Sequence, residues 1–215
     1  MEKKKKNPAQ LERDMRQLGR LQTLIDVVFG LLIIRLFSLL PHLTNPESGN
    51  FDPLVIFTET GENFVMFFIG FVLIAIYWYQ NNKTTGNLVR IDIIHTTLSI
   101  VQLMFLLLYF YSVRLDMETQ SDVLALLMQS VTLALAGFTN VVAWVYVTKH
   151  SDLVSEAVTP EEGNEIRLSI LAEPLAATLT IPFAFISPGV WNISWLSVVL
   201  FGILLKRKHK KKFTK

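Results

Sequence analysis

Of the 20 Lys and Arg residues, 18 fall in four segments, 1–20, 80–90, 148–167 and 206–215, and the chain between those segments is apolar. The apolar stretches contain runs of about 20 residues, the length a helix needs to cross the hydrocarbon core of a bilayer. Charge concentrated outside runs of this length argues against a soluble globular fold. With 51% hydrophobic residues in a chain of 215, six such runs and their short loops use nearly everything, so one membrane domain is expected and no separate soluble one. The fold class expected is all-α, a polytopic membrane protein with six transmembrane helices.

The first span is expected over 21–40, behind the basic segment 1–20, and ends at Pro41; Asn45, Pro46, Gly49 and Pro53 keep the following loop from continuing it. No small-residue cleavage site follows the apolar run, so it reads as a retained helix. A second span, 62–80, finishes in Tyr77, Trp78 and Tyr79, amphipathic rings suited to the headgroup level, before a polar linker with Asn81, Asn82, Lys83 and Gly86. The third and fourth spans, 91–112 and 123–147, are joined by an acidic connection from Arg114 to Asp122. Thr159, Pro160, Glu161 and Glu162 have the order of a helix N-terminus, with a capping hydroxyl, proline at the first helical position and acids in the first turn. A short surface helix is therefore expected before a fifth span, 168–186, kinked by Pro174. The sixth, 190–205, follows a tight turn at Ser187, Pro188 and Gly189.

Lys and Arg are retained on the cytoplasmic side, so alternate loops rich and poor in them orient the chain. Both termini are expected inside. The last ten residues, 206–215, carry seven Lys or Arg. Beside a span, that cluster serves as a topology anchor and attracts anionic lipid headgroups, at about 1 kcal/mol per charge; no nucleic-acid partner is expected.

Polar side chains inside spans are costly, which makes each one a functional candidate. These are Asp26, Arg35, Asp92, His95, Gln102, Gln129, Asn140 and Glu173. None has the spacing of a metal site or catalytic dyad, and no phosphate-binding glycine loop is present. The chain is not expected to be an enzyme or to hold a cofactor. It contains no cysteine, which excludes disulfides and thiolate chemistry. Asp26 needs a hydrogen-bonding or charged partner, for which Arg20 and Arg90 are available. Asp92 and His95 stand one turn apart at the start of the third span, where a structural role and a proton-relay role both fit.

The run from Arg20 to Gly30, with Asp26 and Phe29, resembles the first-helix signature of the transmembrane protein 175 family of potassium channels, an Arg followed by Phe-Ser-Asp in a six-helix unit. Leu24 and Ile25 replace the Phe and Ser. Trp78 near the end of the second span adds to the likeness, although the histidines common after it in the family are absent. The resemblance implies a prokaryotic homotetramer in the plasma (inner) membrane, with the first helix of each subunit lining a central pore permeable to potassium. It also implies a ring of bulky apolar side chains past the Asp as the constriction, which in this register is Leu31. Ile34, Arg35 and Ser38 would continue that face outward, and Arg20, Asp26, Arg90 and Asp92 would form the structural or gating network.

Arg35 sits awkwardly with potassium. Four guanidinium groups in a narrow pore would favour anions, since charge rings set the sign of the permeant ion. Alternatively Arg35 turns aside to Glu59 or Glu62, or snorkels to the outer surface, avoiding about 2.5–3.5 kcal/mol at the bilayer centre. An anion channel, a secondary transporter and a non-conducting scaffold therefore stay open beside the potassium channel.

Overall fold

The computed structural model describes residues 8–37, 40, 61–119, 122–150 and 152–213. Every regular element among them is helical: α1 (Pro8–Phe37), α2 (Gly61–Thr85), α3 (Ile93–Thr119), α4 (Val123–Lys149), α5 (Pro160–Ser169), α6 (Ala172–Thr180), a 3-10 turn at Ile181–Phe185, α7 (Pro188–Ser194) and α8 (Ser197–Phe213). Among the described residues, four stretches are long and apolar enough to cross a membrane, Ile93–Thr119, Val123–Lys149, Pro160–Phe185 and Pro188–Leu205. The chain divides into two compact units, Leu24–Gln80 and the residues before and after it.

In the larger unit α4 is the central helix, packed on α3 along one side and on α6 along another. Its buried faces carry Ala125, Ala134, Ala136, Gly137 and Ala143, and small residues let helix backbones approach closely where no hydrophobic effect drives them together. At Gly137 the approach is tight: a Cβ there would lie 2.8–3.0 Å from the Pro174 ring. Two polar pairs fix α3 antiparallel to α4, with the Tyr146 hydroxyl donating to Asp92 at one end and Gln129 Nε2 donating to Asp116 at 3.0 Å at the other. Trp191 of α7 bonds Ser130 of α4 at 2.9 Å, and Ser130 meets Thr180 of α6 at 2.7 Å.

The linkers before α3 and after α4 are held together. Val89 N–H donates to the Leu153 carbonyl and Ser155 N–H to that of Asn87, both at 2.9 Å, and Arg90 bonds the Asp152 carbonyl and carboxylate. Beneath them Leu18, Leu88, Trp144, Val147, Leu153, Val154, Ile166 and Ile170 form a buried cluster, with Trp144 Nε1 donating to the Gly163 carbonyl at 2.8 Å. In the smaller unit, Ile25, Phe29, Leu32 and Leu36 of α1 and Ile74 and Tyr77 of α2 are buried, and the Phe37 and Phe67 rings lie 5.2 Å apart.

Several element boundaries differ from expectation. α2 runs on to Thr85, through the segment expected as a linker, because Thr84 and Thr85 return their hydroxyls to the Asn81 carbonyl and Asn81 is buried. It stops at Gly86, where a Cβ would meet the Asn82 carbonyl oxygen at 2.8 Å. α3 likewise extends through the supposed acidic loop to Thr119, carrying Asp116 inside and pairing Arg114 with Glu118 across one turn. α5 begins as anticipated, with Thr159 Oγ1 accepting from Glu162 N–H at 3.2 Å. The interruption caused by Pro174 falls at Ile170 and Leu171, as follows from a ring that removes the bond to the residue four positions earlier. A second break, at Trp195 and Leu196, separates α7 from α8; there the backbone bonds tighten to three-residue turns.

Candidate pore helix

α1 sorts its residues into two opposed stripes. Leu18, Leu21, Ile25, Phe29, Leu32 and Leu36 recur at intervals of three and four and are all buried, the spacing of a single helix face. Opposite them Arg20, Leu24, Val27, Leu31, Ile34 and Arg35 are exposed. Leu31 is 56% and Ile34 67% exposed. Three of the four residues expected to line a pore thus share one uncovered face, and Ser38 lies outside the described residues. Arg35 is part of that face, in the last turn of α1, where a cation complements the carbonyl end of the helix dipole. The acids considered as its partners fall in or beside 41–60: Glu59 and the Glu62 side chain lie outside the described residues.

Asp26 has a partner that the sequence did not single out. Trp78 Nε1 donates to Asp26 Oδ1 at 2.9 Å, joining positions 52 residues apart in the chain. An indole N–H is a donor with no acceptor role, and a carboxylate is its charged complement. The neighbours of Trp78 divide by helical position: Tyr77 is buried and Tyr79 exposed. Trp78 was legible as an interfacial ring; its use as a hydrogen-bond donor was not.

Three of the four residues expected to form one network, Asp26, Arg90 and Asp92, take separate partners. Arg90 is engaged by Asp152. Asp92 caps the start of α3 by accepting from the His95 N–H at 2.8 Å and takes the Tyr146 hydroxyl on its other oxygen. Arg20 is exposed on α1. Among the described residues no group of three His, Cys, Asp or Glu could hold a metal ion.

The segment that begins at Arg20 carries both the exposed stripe and the Asp26–Trp78 bond, and it is the segment with a recognisable relative. Residues 20–109 match the family described as endosomal/lysosomal potassium channel TMEM175. The TMEM175 match takes in α1 from Arg20, all of α2 and α3 as far as Tyr109. The description of that family names a potassium channel. TMEM175 is a family of channels and not of enzymes. No curated protein matches the chain.

Proposed function

We propose that the protein is a potassium-permeable channel made of four copies, with α1 of each lining the pore and Leu31 forming a hydrophobic constriction. The observation that carries this reading is the uncovered apolar stripe of α1, set opposite a fully buried one, inside the segment that matches TMEM175. A ring of leucine side chains gates by dewetting and needs no charged group. Asp26, bonded to Trp78, fixes the rotation of α1 about its axis and so decides which side chains face the pore. The placement of Lys and Arg supports six spans with both termini in the cytoplasm; a plasma membrane rests on the family resemblance alone, and in it the basic tail lies against anionic headgroups of the inner leaflet.

One observation favours a second reading, an anion-permeable channel of the same architecture. Arg35 is exposed on the stripe that holds Leu31 and Ile34. Reversal potentials in potassium chloride gradients separate the two for purified protein in planar bilayers. A potential near the potassium equilibrium value supports the first reading; one near the chloride value rejects it. Arg35→Leu adds the deciding comparison, because a pore-facing guanidinium changes selectivity when removed and one turned aside changes stability instead.

A further inference from the structure

Asp92, His95, Ser99 and Gln102 recur at intervals of three and four and lie along one face of the start of α3. The last three are buried. Ser99 donates its hydroxyl to the His95 carbonyl at 3.0 Å, which leaves its oxygen able to accept. His95 Nδ1 and Gln102 Nε2 are enclosed without a hydrogen-bond partner among the described residues, and so is Asn140 Nδ2 on α4.

These groups converge in depth. The pairings of Asp92 with Tyr146 and of Asp116 with Gln129 set the register of α3 against α4 and bring Gln102 within a turn of Asn140. On the other flank of α4, the Gly137–Pro174 approach and the bond from Trp144 to Gly163 put Asn140 level with Ile170 and Leu171, where α5 gives way to α6. Pro174 has no N–H to give the Ile170 carbonyl. Enclosed donors lacking acceptors and a carbonyl deprived of its usual donor therefore occupy one level of the bundle. Buried polar groups in native proteins are satisfied by protein or by ordered water.

We propose that water fills this seam, entering beside Asp92 and ending at Gln102, Asn140 and the break between α5 and α6, as a blind hydrated inlet into the larger unit. Water suits the site whichever way the two amides are turned, because it both donates and accepts. Leu106, one turn beyond Gln102, and Leu133, two turns along α4 from Asn140, are buried apolar side chains and close the inlet.

The absence of cysteine lets single-cysteine variants report without background. Ser99→Cys, Gln102→Cys and Asn140→Cys are compared with Leu106→Cys and Leu133→Cys in membranes treated with methyl methanethiosulfonate. A thiolate attacks the sulfenyl sulfur of that reagent and displaces methanesulfinate, and thiolate forms only where water reaches the sulfur, so the first three should react at least about tenfold faster than the last two. Equal protection of all five, or equal reactivity, overturns the inlet. Radiolytic footprinting of the unsubstituted protein guards against misfolded variants: hydroxyl radicals generated from bound water should oxidise His95 and spare Leu133. An unoxidised His95 overturns the proposal as well.

Discussion

At the scale of single residues, a few long-range polar bonds hold apolar helices in defined rotations. The Asp26–Trp78 bond is one. Trp78→Phe removes the donor and leaves the ring nearly as large, and should lower stability by about 1.5–3 kcal/mol, the net worth of a hydrogen bond with a charged partner; Asp26→Asn, which keeps an acceptor, should cost less. Thermal unfolding in detergent measures both. At Ser130 the bond directions can be deduced. Trp191 Nε1 can only donate, and Thr180 gives its hydrogen to the Ala177 carbonyl at 2.7 Å, so the Ser130 hydroxyl donates to Thr180. Ser130→Ala strands the buried indole N–H and should cost about 1–3 kcal/mol, whereas the exposed Arg90–Asp152 pair should be worth under about 1 kcal/mol in an Arg90→Gln variant, because solvent screens it.

At the scale of elements, the packing of α4 on α6 depends on a position with no side chain. Gly137→Ala drives a methyl group into the Pro174 ring, and overpacking of this kind should cost about 1–3 kcal/mol, read as a lowered unfolding temperature. Much of the element layout was legible in the sequence. Thr159 and Pro160 marked a helix start because capping is local chemistry, and Pro174 marked a break because a missing N–H acts four residues away whatever surrounds it. The extension of α2 to Thr85 was not legible, since Asn81, Asn82 and Lys83 look like a loop until Asn81 is buried and two threonines bond back to it. Asp116 was hidden for the same kind of reason: its bond to Gln129, distant in sequence, helps to hold a carboxylate inside the bundle. The break at Trp195 has no proline or glycine beside it, and Trp191, anchored on Ser130, supplies the tertiary constraint that local sequence could not reveal. For the candidate pore helix, periodicity predicted a shared face for Leu31, Ile34 and Arg35, but it could not say which face the neighbouring helices would cover.

At the scale of the whole molecule, the charge pattern and the helices make one joint prediction about sidedness. A membrane-impermeant maleimide applied to intact cells should label Glu118→Cys and leave Asn82→Cys and Glu156→Cys untouched, because the last two lie in or beside the segments rich in Lys and Arg. Labelling of Glu156→Cys from outside would sink the six-span topology. The exposed stripe of α1 has a geometric consequence of its own. From Arg20 through Leu24, Val27 and Leu31 to Ile34 its steps alternate between four and three residues, a 3.5-residue repeat, while a straight helix turns once in 3.6. Helices that meet along such a repeat cross at about 20° and coil left-handed. Four copies joined this way would form a twisted barrel of leucine and isoleucine, and a rotation of each helix by about 20–30° would pass the narrowest ring from one side chain to the next.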